Sequence, residues 1–218
     1  MLDELLNHVK STSEENRIVV IRSSGSVFSA GHDLKELVDS DIQGKAAVFE
    51  KCEALMKAIR LAPVPVLAAI DGLATAAGCQ IVATCDLAVA TRNSKFATPG
   101  VKVGLFCSTP GVPLARSVPR KVAADMLFTG QPITAEEALR SGLVSRVVRK
   151  EALDDCINEI VSDVCGVDRS VISLGKKAFY EQINLPEDEA LSKSSCVMLT
   201  NLEYNAAQDG IAKFLKRK

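Results

Sequence analysis

The segment Val66-Leu67-Ala68-Ala69-Ile70-Asp71-Gly72-Leu73-Ala74-Thr75-Ala76-Ala77-Gly78-Cys79-Gln80 changes character along its length. Val66 to Ile70 is a short, unbroken apolar run, the pattern of a strand buried on both faces. Asp71-Gly72 turns the chain. From Ala74 to Gly78 every side chain is small, which lets another backbone or a ligand approach closely. Cys79 to Thr84 then reads as a helix, and Leu87 to Ala90 as a further strand. A buried strand, a turn, a helix and another strand in so few residues predict an α/β fold.

The flanks carry the same alternation. Upstream, Leu2, Leu5, Leu6 and Val9 recur at helical spacing, and Arg17 to Arg22 holds a β-branched run suited to a strand. Ser23 to Gly31 is rich in Ser and Gly and reads as a loop. Asp33, with Glu36 three residues later, resembles a capping box that opens a helix. Val48, Cys52, Leu55, Met56 and Ile59 share one face of the next helix, which Pro63 and Pro65 stop. Downstream, Pro110, Gly111, Pro113 and Pro119 impose turns and short helices. Arg120 to Phe128 is a helix ended by Gly130. Thr134-Ala135-Glu136-Glu137 is a capping box, and Leu143 to Val148 a last strand. Beyond Lys150 the pattern is helical, so residues 1–150 are expected to form the core and residues 151–218 a helical appendage.

Hydrophobic residues at 47% and charged residues at 24% supply enough apolar surface for a core and exclude general disorder. With 26 Lys+Arg against 27 Asp+Glu the net charge is -1, too little cationic field to hold a phosphate backbone, so nucleic acid is not an expected partner. The longest apolar region, Val64 to Ile81, is broken by Pro65, Asp71, Gly72, Thr75 and Gln80 and predicts no membrane span. Met1-Leu2-Asp3-Glu4 has no signal or transit character, so any targeting segment is expected outside this chain. Seven cysteines without a C-x-x-C pair argue against a disulfide framework and point to a reducing compartment. With two histidines, no metal site is expected.

Several loops together resemble the enoyl-CoA hydratase/isomerase (crotonase) family. The carriers are Phe28-Ser29-Ala30-Gly31-His32-Asp33-Leu34-Lys35-Glu36, Pro63-Val64-Pro65-Val66, Asp71-Gly72, Ala76-Ala77-Gly78-Cys79-Gln80, Cys85-Asp86, Phe96-Ala97-Thr98-Pro99, and Thr134-Ala135-Glu136-Glu137-Ala138 before Gly142-Leu143-Val144. The resemblance implies a crotonase-like spiral of ββα units with a C-terminal helical oligomerisation region, assembled as a homotrimer or a hexamer. It implies an acyl-CoA thioester as ligand, with coenzyme A entering as part of the substrate and no other cofactor. It also implies fatty-acid metabolism in the mitochondrial matrix. The family's oxyanion hole falls on the backbone N–H groups of His32 and Ala77, and its substrate contacts on Ala30, His32, Asp33, Leu34, Lys35, Ala77 and Gly78. Helix N-termini after Asp33 and near Gly78 would add to the field there. Read alone, Gly31 serves equally as a turn glycine, Asp33 as a helix cap and Asp86 as a turn residue.

The same resemblance shows what is missing. Hydration of an enoyl thioester uses two glutamates, and their positions hold Gln80, which exchanges no proton near neutral pH, and Gly100, which has no side chain. General acid–base groups contribute typically ~10²–10⁴-fold each, so ordinary hydratase activity is not expected. Cys107 and Ser108 are the available substitutes, although a lone Cys is more often a packed thiol. Three functions stay open: a non-hydratase acyl-CoA binder, a decarboxylase-type lyase using the oxyanion hole alone, and a non-catalytic structural or regulatory subunit. Methylmalonyl-CoA decarboxylase-like members share the Phe28–Asp33 loop but carry a tyrosine where Phe106-Cys107-Ser108 stands. In the family a strand and turn that help line the CoA site usually precede the first helix, whereas this sequence opens within what reads as that helix, so CoA affinity is expected to suffer. Lys213 to Lys218 resembles the family's basic terminus, which approaches the CoA nucleotide, and reads equally as a solvated helix end.

Overall fold

A computed structural model describes residues 1–216. From the amino end run α1 (Leu2–Glu15), β1 (Val19–Arg22), β2 (Val27–Ser29), α2 (Leu34–Asp39) and α3 (Ile42–Leu61). Next come β3 (Val66–Ile70), β4 (Leu73–Thr75), α4 (Ala77–Thr84), β5 (Leu87–Thr91) and β6 (Lys95–Ala97). After a 3-10 turn at Pro99–Val103 follow α5 (Ser108–Ser117), α6 (Arg120–Thr129), β7 (Ile133–Thr134), α7 (Ala135–Ser141) and β8 (Arg146–Val148). A second 3-10 turn at Lys150–Ala152 leads to α8 (Leu153–Cys165), α9 (Arg169–Gln182), α10 (Glu187–Leu202) and α11 (Asn205–Leu215).

Two four-stranded sheets form, in the orders β1-β3-β5-β8 and β2-β4-β6-β7. Every pair is parallel except β6 with β7. From β1 to β6 successive strands fall alternately in the two sheets, so the chain winds as a spiral whose turns each add a strand to both, and β7 and β8 then complete the two sheets in reverse order. A parallel sheet must be covered on both faces, and β3 shows how. Val66 joins α1 and α3 through Val9, Cys52, Leu55 and Ile59. Ala68 and Ile70 join a cluster built on Phe96, Leu114 and Met126. Leu67 and Ala69 point the other way, onto Leu153, Cys156, Ile157 and Ile160 of α8. This is the period-two alternation of a strand between two layers.

Two polar ties hold distant segments. Asp86, which the sequence allowed as a turn residue, is a hub: its carboxylate accepts from Val66 N–H at 2.7 Å, Lys176 Nζ at 2.7 Å and the Tyr180 hydroxyl at 2.8 Å. Lys176 also donates to the carbonyls of Ile59 and Val64, so α9 is bolted to the end of α3 and the start of β3. Burial, opposed by Asp86, holds the Lys176 ammonium below its usual range, and burial next to Asp86 pushes the Tyr180 phenol up. The second tie is reciprocal. Arg17 donates to the carbonyls of Cys165, which ends α8, and Val167 just beyond it, and Arg169 donates to the carbonyls of Ser13, Glu14 and Asn16 at the end of α1. Each arginine satisfies carbonyls that a helix C-terminus leaves without partners.

The strands departed from the sequence reading where they are short. Ser23 to Gly31 is not all loop, because Val27–Ser29 pairs with β4; the small-residue run likewise begins inside β4, and α4 starts at Ala77 rather than Cys79. Segments of three residues lie below the length at which alternation is recognisable. The last strand begins at Arg146, because Leu143 and Val144 donate back to the Ala138 carbonyl and close α7. The Thr134 capping box forms as expected, whereas Asp33 caps α2 alone, through the Lys35 N–H at 2.9 Å. The expected helices after Lys150 are present. Arg217 and Lys218 of the basic terminus lie outside the described residues.

Candidate active site

β2, β4 and β6 lie side by side and parallel, so their carboxyl ends open on one edge. β2 delivers Ala30-Gly31-His32, β4 delivers Ala76-Ala77, and β6 delivers Thr98-Pro99-Gly100. The crevice outside the carboxyl ends of parallel strands is where open α/β sheets bind ligands. The three positions that the sequence singled out on separate motifs are thus neighbours through strand pairing.

Backbone geometry presses two of them together. Gly31 has φ 92°, and a Cβ there would stand 2.9 Å from Ala76 Cβ and 3.3 Å from the Ala77 nitrogen. A Cβ on Gly78 would stand 2.6 Å from Ser29 Cβ, so the first turn of α4 rests directly on the end of β2. Ala76 bridges the strand and the helix at φ 49°, ψ -117°, the one non-glycine residue with positive φ among those described. Its N–H donates to the Ala97 carbonyl at 2.9 Å, and its carbonyl accepts from Gln80 N–H at 3.0 Å. Strain of this kind costs on the order of 1–3 kcal/mol and persists where surrounding structure imposes it. It turns the Ala77 N–H out of the strand pairing at the N-terminus of α4. Neither that N–H nor the His32 N–H has an acceptor among the described residues.

The side chains complete the picture. His32 is half-buried, its ring edge-to-face with Phe49 of α3 at 5.3 Å, and its Nε2 is buried without a partner among the described residues. Burial lowers its pKa below 6.5 against the opposing pull of Glu36, so the imidazole is neutral at neutral pH. Gln80 is buried on α4, and its Oε1 accepts from the Cys52 thiol of α3 at 3.8 Å. Ala30, Asp33, Leu34 and Lys35 are exposed along the mouth, and Asp33 is occupied as a cap.

Gly100 lies at the third strand end, and its surroundings are filled. A Cβ there would stand 2.6 Å from the Leu105 carbonyl oxygen and 2.8 Å from Cys107 Sγ. The Gly100 N–H donates to that sulfur at 3.3 Å, and its carbonyl accepts from Leu105 N–H at 2.9 Å. Cys107 is therefore engaged as a packed thiol, while Ser108 is exposed at the start of α5 with its hydroxyl turned to the Phe106 carbonyl. Sequence reasoning missed Phe49 and the role of Cys52, because their contacts span separate elements and no local pattern signals them. The strain at Ala76 was likewise hidden among alanines.

Residues 1–218 match the family described as Enoyl-CoA hydratase/isomerase. Enoyl-CoA hydratase domain-containing protein 3, mitochondrial, of Mus musculus is 51% identical over 214 residues, covering 96% of this chain and 70% of that protein. The crystal structure of the human enoyl Coenzyme A hydratase domain-containing protein 3 superposes with TM-score 0.96 at 48% identity, over 100% of this chain and 87% of that one. The Mycobacterium smegmatis enoyl-CoA hydratase structure superposes with TM-score 0.96 at 43% identity, over 100% and 86%.

Proposed function

The chain belongs to the enoyl-CoA hydratase/isomerase family, and from that membership we propose that it binds an acyl-CoA thioester without catalysing ordinary hydration. The thioester oxygen sits between the N–H groups of His32 and Ala77. The observation that carries the reading is the pair of unpartnered amides brought together at the ends of β2 and β4. Amides fixed before the ligand arrives need no reorganisation, and one such donor is worth roughly 2.7–4 kcal/mol to a developing oxyanion. Proton transfer is the part left unsupplied. Gln80 is neither an acid nor a base near neutral pH, and the room at Gly100 is taken by Leu105 and Cys107.

A lyase of the decarboxylase kind is the second reading, favoured by the same amides beside a neutral His32. Loss of CO₂ from a malonyl-type thioester breaks a carbon–carbon bond, leaves its electron pair as an enolate on the thioester, and needs a proton only afterwards, from water. Incubating the purified protein with enoyl-, malonyl-type and saturated acyl-CoAs, followed by mass spectrometry, decides between the readings. No change in mass with saturable binding is the expected result. Steady gain of water would refute the non-hydratase reading, loss of CO₂ would establish the second, and absence of binding would leave the structural subunit.

We further propose a homotrimer or hexamer built on the C-terminal helices. α9 to α11 contain no buried residue, and Leu191, Met198, Leu199 and Leu202 are exposed on α10. A monomer mass in sedimentation at micromolar concentration would refute this. Residence in mitochondria rests on the names of the relatives, and immunofluorescence of the endogenous protein tests it.

A further inference from the structure

The first sheet has a carboxyl edge of its own, where β1, β3, β5 and β8 run out. Asp71-Gly72 joins that edge to the amino end of β4, and the Gly72 carbonyl accepts from the Lys95 N–H at the amino end of β6. The edge therefore lies at the opposite end of the second sheet from the His32 and Ala77 amides. Strand alternation sorts its charges onto two faces. Ala69, Val89 and Val148 face α8, and the next residues of that parity, Asp71, Thr91 and Lys150, meet one another: the Asp71 carboxylate takes the Thr91 hydroxyl at 3.0 Å and Lys150 Nζ at 2.7 Å. Ala90 and Val147 face the Phe96 cluster, and the next residues of their parity are Arg92 and Arg149. Arg149 is itself extended, at φ -68°, ψ 153°, so the alternation holds through it.

The register pairs Thr91 with Val148, which sets Arg92 beside Arg149, and the Arg92 N–H donates to the Val148 carbonyl at 2.9 Å. Neighbouring strands stand about 4.8 Å apart, so two guanidinium side chains leave one face from adjoining strand ends. Both residues are exposed, and neither guanidinium has an ion pair or a hydrogen-bond acceptor among the described residues. Like charges in directly opposed positions repel. Asp71 does not relieve them, because it belongs to the other face and is already taken by Lys150 and Thr91. We propose that Arg92 and Arg149 form a binding site for a phosphate monoester. A carboxylate has two oxygens and saturates one guanidinium fork, whereas a phosphate presents three oxygens to both forks. Its charge of about -1.5 to -2 near neutral pH also balances the two cations. Free phosphate and the headgroup of phosphatidic acid share this chemistry.

Calorimetric titration of the full chain with inorganic phosphate at constant ionic strength tests this, with acetate and chloride as controls. A second arm measures co-sedimentation with phosphatidylcholine vesicles prepared with and without phosphatidic acid. Saturable binding of inorganic phosphate is expected, and acetate and chloride should bind far more weakly. Each arginine supplies charge-assisted hydrogen bonds, so Arg92→Gln or Arg149→Gln should weaken phosphate binding roughly 10–100-fold. Arg149→Lys keeps the charge but loses the fork and should also bind more weakly than the parent. Both side chains are exposed and repel each other, so without phosphate the thermal midpoint of Arg149→Gln should equal or exceed that of the parent, which separates lost binding from lost folding. Capture by phosphatidic acid vesicles alone, lost in the Gln variants, would support the site with a lipid headgroup as its source. Acetate binding as tight as phosphate, phosphate binding unchanged in the Gln variants or in Arg149→Lys, or no binding in either arm would overturn the proposal.

Discussion

Restoring a glutamate at position 100 is the direct way to ask whether the chain has only lost a catalytic group or has closed the place where it stood. In Gly100→Glu the new Cβ would meet the Leu105 carbonyl oxygen at 2.6 Å and Cys107 Sγ at 2.8 Å. The first neighbour is backbone and cannot rotate away, so the 105–107 segment must move. That movement breaks the Leu105 N–H to Gly100 carbonyl bond, 2.9 Å long. Overpacking costs typically ~1–3 kcal/mol and a lost hydrogen bond ~0.5–1.5 kcal/mol, together roughly 2–4 kcal/mol. For a chain of this size that lowers Tm by about 4–16 °C. Differential scanning calorimetry reads the shift, and crotonyl-CoA absorbance reads hydration in Gly100→Glu and in the double variant with Gln80→Glu. Both variants are expected to be destabilised and inactive. A Tm within about 1 °C of the parent, or steady hydration by the double variant, would refute the reasoning.

Ala76→Gly removes the cost of holding an alanine at φ 49°, and should raise stability by about 1 kcal/mol after the added freedom of the unfolded chain; a loss of stability would show that the conformation is unstrained. Lys176→Met leaves Asp86 buried without its cation and should cost roughly 3–5 kcal/mol in urea unfolding, and a loss below about 1 kcal/mol would show the bolt to be idle. The pKa of His32 is lowered on folding, so its contribution to stability is present above 6.5 and is lost as pH falls through the lower folded value. Wild-type stability should therefore drop more than that of His32→Phe as pH falls from neutral through that range, and parallel curves would contradict the assignment.

The elements that positioned these predictions were unequally legible. β3 could be read directly because a parallel strand covered on both faces is apolar at every position, and the capping box at Thr134 because its chemistry is local. β2 and β4 are three residues each and owe their extended form to pairing with each other, which no single segment records. The two amides of the candidate site were placed by family resemblance, since a backbone N–H carries no signature of its own. Cys52 looked like a core residue and is one, yet its thiol also orients Gln80, a role that depends on how α3 and α4 pack. The filled space at Gly100 was invisible because a glycine reports nothing about what occupies the room it leaves.

The reciprocal arginines Arg17 and Arg169 have a consequence for how the chain is made. The bonds from Arg17 to Val167 and from Arg169 to Ser13 span sequence separations of 150 and 156 residues. A chain emerging from a ribosome at ~5–20 residues per second exposes α1 well before the residues that finish its C-terminus exist. The apolar face of α1, Leu2, Leu5, Leu6 and Val9, finds its cover on β1, α3 and β3 soon after, whereas the carbonyls at its C-terminus wait for Arg169, and long-range closures of this kind are slow to form. The body of α1 is thus seated early and its C-terminal turn is secured late, so that turn stays open to fraying until α8 and α9 are in place.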